Sequence, residues 1–163
     1  MLKTSSLKKW IRPFIANSVK VFLPALLFAH MSTSNPSPTR IFEIAPEADA
    51  LFKFAANGVD DDMYKSQLFL VHARGVIRTV DAAVNLLGAG NMDKLVEVLK
   101  DLGARHATYD VKEVHYPIVG EALLDTLGKA LGEGFTPEVK EAWTGVYGVI
   151  QDTMCQGAKE VLE

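Results

Sequence analysis

The chain has 163 residues, 48% of them hydrophobic and 23% charged, with a formal net charge of -3. A chain of this size buries roughly 70% of its unfolded surface, and the composition is that of one globular domain, not of a disordered or fibrous protein. The single cysteine, Cys155, excludes an internal disulfide framework and any multi-cysteine metal site.

The charge is unevenly spread. Residues 1–40 carry six basic side chains and no acidic one, and the other 11 basic residues lie among all 20 acidic ones, which leaves the body at -9. A body of that sign repels polyanions, so nucleic acid is not expected as a partner.

Residues 1–30 open with a basic stretch, Lys3 to Arg12, followed by an apolar one, Phe14 to Ala29. The longest part free of charged or hydrophilic side chains, Val21 to Ala29, is nine residues, far short of the ~20 that a single-pass span needs. Lysines beside Trp10, Phe14 and Phe22 suit a targeting segment or contact of residues 1–30 with a membrane surface. The plain alternatives are a helix packed on the body and a stretch with no stable fold of its own. Ser32 to Pro38 reads as a linker.

Thr39 is placed to cap a short helix through Ala45, and Pro46 interrupts it before a second short helix, Glu47 to Phe54. Asn57-Gly58 marks a turn, and Val59 to Met63 an acidic, solvated corner. Lys65 to Leu87 is the first long helix: Leu68, Phe69, His72, Val76, Val80, Val84 and Leu87 recur at three and four. Gly88 to Gly90 ends it. Asn91 caps the next, Met92 to Leu102, and Gly103 weakens the turn that follows. Pro117 sits in the first turn of a helix reaching Leu131. After the Gly132–Gly134 turn, Thr136 caps and Pro137 opens a last helix to about Val161. No stretch alternates as a strand does, so the expected class is all-α.

Two of the four histidines, His72 and His106, fall on apolar helix faces. One such histidine is usually an ordinary core or edge residue. Two in a helical chain admit another reading, since neutral imidazole is the usual protein ligand of haem iron in an apolar pocket. Neither belongs to a zinc-hydrolase motif, and the glycines lack the strand and lysine context of a phosphate loop. Trp143 and Tyr147 read as core packing, Asp60 to Asp62 as solvated, Arg105 as surface or as a partner for a haem carboxylate, and Cys155 as unreactive. No catalytic nucleophile or general base stands out.

Residues 39–163 resemble the animal globins, most closely the neuroglobin-like branch. Thr39-Arg-Ile-Phe-Glu-Ile-Ala-Pro46 resembles the end of that family's second helix and the proline corner after it. Leu51-Phe52 resembles the corner that sets a phenylalanine against the haem. Phe69-Leu-Val-His72 with Val76 resembles the distal helix, Leu102-Gly-Ala-Arg-His106 the proximal helix, and Phe135-Thr-Pro137 with Trp143 and Tyr147 the opening of the last helix.

The resemblance implies a globin-like domain at 39–163 that binds haem (iron protoporphyrin IX). His106 would be the proximal iron ligand. His72 would be the distal residue, either a hydrogen-bond donor to dioxygen or a sixth ligand that gases must displace. Phe52 would wedge the porphyrin, Val76 crowd the distal side, and Leu102, Val111 and Tyr116 complete an apolar surround. The implied function is reversible binding of dioxygen and other small gases, for storage, transport or sensing in the cytoplasm. The alternatives are bis-histidyl redox or nitrite and nitric-oxide chemistry at the same iron, and a variant globin with weak haem retention.

Residues 1–38 depart from the family, which has a first helix and a fuller second one there. Pro38 stands where the second helix would turn a large apolar side chain into the distal pocket, and proline within a helix costs about 3 kcal/mol or more. The segment either substitutes for the missing helices or is foreign to the fold. The second reading is preferred, and it is the one that predicts weak haem retention.

Overall fold

A computed structural model describes residues 40–163. The expectations for residues 1–38, Trp10 and Pro38 among them, lie outside the described residues, as does the Thr39 cap. Six α-helices follow in order: α1 (Arg40–Ile44), α2 (Asp61–Lys65), α3 (Gln67–Ala89), α4 (Met92–Ala107), α5 (Tyr116–Leu131) and α6 (Pro137–Leu162). No strand occurs among the described residues, and the class is all-α as expected.

Short polar side chains start the helices by accepting from otherwise unpaired backbone donors. Ser66 Oγ accepts from Phe69 N–H (3.2 Å), Asn91 Oδ1 from Lys94 N–H (3.3 Å) and Thr136 Oγ1 from Val139 N–H (3.4 Å). Gly90, at φ 74°, ends α3 in the left-handed conformation that glycine adopts without strain. Pro117 and Pro137 stand in the first turns of α5 and α6. The acidic corner is more structured than expected, because Asp60 Oδ1 accepts from Met63 N–H (2.8 Å) and so caps α2.

Two stretches differ from the periodic reading. Glu47 to Phe54 is not one α-helix but two 3-10 turns, Pro46–Leu51 and Lys53–Ala55, separated by Phe52 in extended conformation. The second difference is at Gly103, which does not weaken α4: the helix runs on to Ala107 and so carries His106. The glycine is there because α4 and α6 cross backbone to backbone. A Cβ at Gly103 would stand 2.6 Å from the carbonyl carbon of Met154 and 2.7 Å from its Cα. Gly157 answers on α6, where a Cβ would stand 2.5 Å from Lys100 Cα. These two helices make the most extensive contact among the described elements, and a Lys100–Glu160 ion pair joins them.

The buried apolar side chains form two groups. The larger gathers Val84, Leu95, Leu99, Leu127, Trp143 and Val146 from α3, α4, α5 and α6. The smaller gathers Phe42, Ala48, Ala55, Met63, Tyr64 and Phe69 from the first part of the described chain. Along α3 the allegiance changes between Ala73, packed on the smaller group, and Val80, packed on the larger. His72 and Val76 sit at that seam. On α5 the same change falls between Tyr116 and Ile118.

Candidate functional site

An amphipathic helix normally buries its apolar stripe. The first half of α3 does not. Leu68, Val71 and Val76 are 61%, 56% and 44% exposed. At helical spacing Leu68 and Val76, four residues before and after it, share a face with His72, while Val71 lies about 100° round the helix. Apolar surface left uncovered around a histidine marks a place where something apolar binds.

The His72 ring lies against two phenylalanines at the rim of the smaller core. Its centroid is 5.4 Å from that of Phe52, at 73°, and 5.4 Å from that of Phe54, at 48°. The two phenylalanines stack at 4.9 Å, and Phe42 and Phe69 meet them edge-on. Although His72 as a residue keeps considerable exposure, desolvation of its ring is the main reason its pKa lies below the ordinary 6.5. Charge on His106 pushes the same way, because a second cation nearby opposes protonation. The two imidazoles, from α3 and α4, therefore come close enough to feel one another, and His72 stays neutral, the form that can coordinate a metal.

His106 is fixed from its own helix. Its Nδ1 lies 2.8 Å from the Leu102 carbonyl oxygen, one turn back. A carbonyl only accepts, so Nδ1 carries the proton, and the lone pair of the neutral ring is on Nε2. The carbonyl of His106 in turn accepts from Tyr109 N–H (3.0 Å) and Val111 N–H (3.2 Å), which draws the chain after α4 around it. Leu102 and Val111 are partly buried against the larger core.

The seven residues singled out in the sequence are not equivalent in the structure. His72 and Phe52 are in contact, Val76 is one turn beyond His72, and Leu102 and Val111 are both hydrogen-bonded to His106. Tyr116 lies deeper, in the larger core, with its hydroxyl buried and without a hydrogen-bond partner among the described residues. Burial pushes that phenol up to about 12. Trp143 is buried in the core, and Tyr147 donates its hydroxyl to the Tyr116 carbonyl at 2.6 Å. Arg105 pairs with Asp101 on the helix surface at 3.2 Å. Cys155 is buried, and that burial raises its thiol pKa, which keeps it an unreactive thiol at neutral pH.

Two residues escaped the sequence reading. Phe54 packs on His72 as closely as Phe52 does, and Tyr109 meets the His106 ring with centroids 6.2 Å apart, at 65°. The Phe-Lys-Phe spacing at 52–54 was the only local hint of the first.

Among the described residues no group of three or more histidine, cysteine or acidic side chains converges to enclose a metal ion. Two imidazoles alone hold a metal firmly only when the metal brings its remaining ligands with it. A flat apolar macrocycle with a metal at its centre meets that condition, and it would cover the exposed apolar strip of α3 as well. The residues present fit haem.

A family model described as Globin matches residues 39–154. The chain is 35% identical over 120 residues to a protein named Neuroglobin of Tetraodon nigroviridis, covering 73% of this chain and 74% of that one. It is 34% identical, over the same shares, to the protein of that name from Dissostichus mawsoni. Among solved structures, the crystal structure at pH 4 of a hexacoordinated heme protein from an anhydrobiotic tardigrade superposes with a TM-score of 0.66, at 17% identity. That match covers 90% of this chain and 96% of the other. The extent of the family match and the identity to its members show the family: the chain belongs to the globin family.

Proposed function

We propose that residues 39–163 form a bis-histidyl haem globin in which His106 and His72 would both hold the iron, and in which a small ligand would have to displace His72. The observation that supports this reading is a pair of imidazoles, His106 with its Nδ1 bonded to the Leu102 carbonyl oxygen at 2.8 Å and His72 packed on Phe52 and Phe54 with its pKa lowered. Family membership brings haem, and the relatives named above include a hexacoordinated heme protein. The reading favours redox work over simple oxygen storage, because a sixth position already filled by His72 delays a gas but not an electron.

Haem iron, if bound and reduced, would supply one electron to nitrite, which with two protons would give nitric oxide and water, and an external one-electron reductant would be needed to return the iron to the ferrous state for each further turnover. The chain does the rest. His106 donates from Nε2, and the Leu102 carbonyl on Nδ1–H raises that donation and fixes the ring's direction. His72 closes the distal side and, once displaced, remains at hand as a hydrogen-bond donor or proton carrier. Phe52 and Phe54 limit how far it swings. Val76 crowds the space that an entering small molecule must use, and Leu102, Val111 and Tyr116 keep water from the proximal side.

The absorption spectrum of the ferrous protein tests this. Sharp, split visible bands before carbon monoxide is added are expected. One broad band would mean an open sixth position and would refute the bis-histidyl reading. Anaerobic nitrite turnover should vanish in His106→Ala and be inhibited by carbon monoxide. Turnover indifferent to carbon monoxide would place the chemistry elsewhere.

A further inference from the structure

We infer that Tyr109 is a positioning residue for the His106 imidazole, a second restraint that works beside the Leu102 carbonyl. The inference rests on the reading in which His106 holds the iron.

A single hydrogen bond at Nδ1 tolerates a broad range of ring rotation, because a carbonyl accepts over a wide spread of directions. A ring packed at a defined angle narrows that range. Tyr109 supplies one, at 6.2 Å and 65° to His106. It is 55% exposed, so it belongs to neither core and gains little from burial there. Its place is set by the backbone instead. Tyr109 N–H donates to His106 O, Asp110 N–H to Ala107 O (3.1 Å) and Val111 N–H to His106 O. Thr108 Oγ1 closes the same turn by donating to Arg105 O (2.8 Å). Asp110 then takes φ 61°, the left-handed region, and is the one non-glycine residue with positive φ among those described. Aspartate tolerates this conformation better than most side chains, but it remains uncommon. A turn wound this tightly around the His106 carbonyl sets the Tyr109 ring against the imidazole three residues before it.

Groups that orient a metal-bound histidine typically supply about 10–100-fold in metal affinity. Tyr109→Ala should therefore release haem to an excess of apo-acceptor about tenfold faster than the parent, the low end of that range, because the Leu102 bond remains. The second readout is the iron–histidine stretching band of the ferrous protein, measured by resonance Raman in a His72→Ala background. The band should shift in Tyr109→Ala and return in Tyr109→Phe, which keeps the ring and loses only the hydroxyl. The far-ultraviolet circular dichroism of the haem-loaded Tyr109→Ala protein should match that of the parent, since the side chain is mostly in water. An unshifted band with an unchanged haem-transfer rate in Tyr109→Ala would overturn the inference, and so would a Tyr109→Phe variant as perturbed as Tyr109→Ala. Failure of the bis-histidyl reading would show separately, as an open sixth position in the parent. The stretching band in the His72→Ala background does not depend on it.

Discussion

Replacing Gly103 with alanine adds one methyl group at the tightest point of the fold. The methyl carbon would stand 2.6–2.7 Å from backbone atoms of Met154, where ordinary contact begins at 3.4 Å, and closer still to the carbonyl oxygen. No side chain can rotate away, because the obstacle is main chain, so α4 and α6 must part by roughly an ångström. A gap of 0.5–1 Å forfeits about a quarter to a half of each van der Waals contact across it. Five side chains buried in the core that these two helices share bear the loss: Leu95, Leu99, Val146, Ile150 and Met154. At ~1.5–3 kcal/mol each for full burial, a quarter of their contribution is about 2–4 kcal/mol. Alanine returns about 1 kcal/mol of helix propensity. The net loss is ~1–3 kcal/mol, a sizeable part of the ~5–15 kcal/mol of a typical domain. Gly148 is the control, since a Cβ there would have nothing within 4 Å. Gly148→Ala should gain up to about 1 kcal/mol from the same propensity. Urea unfolding of the haem-loaded variants, followed by far-ultraviolet circular dichroism, separates the two. A Gly103→Ala protein as stable as the parent, or a Gly148→Ala protein that falls with it, would refute the crossing argument.

Three further outcomes are expected. His106→Gly should lose the low-spin spectrum and regain part of it when free imidazole is added; a low-spin spectrum that persists in His106→Gly would mean that the proximal ligand is another residue. Tyr116→Phe should unfold at higher urea by about 1 kcal/mol, because it removes a buried hydroxyl with no partner among the described residues, and a loss of stability would reveal a bond that the hydroxyl makes. The phenols of Tyr116, pushed up to about 12, and of Tyr147, pushed up as well, bind their protons more tightly folded than unfolded. Stability should accordingly fall as pH rises above about 10, where an unfolded tyrosine ionises, and go on falling towards pH 12. Urea midpoints between pH 8 and pH 11 that do not decline would contradict it.

Local chemistry made much of this fold readable from the residues alone. Asn91, Thr136, Pro117, Pro137 and Gly90 each act within four residues of where they stand, so their roles as caps and stops follow from the sequence. Asp60 is as local, yet its place in an acidic run made it look solvated when its carboxylate is bonded to Met63 N–H. Gly103 is the opposite case. Its low helix propensity is local and argued for weakness, but its reason for being there is Met154, 51 residues further on, and no periodicity reports such a neighbour. The stretch from Pro46 to Ala55 has helical spacing, but the extended Phe52 splits it, and that break serves the aromatic contacts of Phe52 and Phe54 with His72.

The site follows the same division. That His72 and His106 lie on apolar faces is a matter of counting residues along each helix. That the two belong to one site is what the family resemblance implies, and the residues alone did not show it. The His72 pKa is lowered mainly by desolvation of its ring and secondarily by charge on His106. Two imidazoles kept near one another without a metal between them tend to repel when charged, and one of them stays neutral at a cost in proton affinity. Under the proposed reading, coordination of both rings to one metal would remove that conflict. The uncovered strip of Leu68, Val71 and Val76 points the same way. Exposed apolar side chains beside His72, and a second histidine whose charge lowers its pKa, are each unfavourable in the chain by itself, and under the proposed reading one flat, apolar, metal-centred group would relieve both.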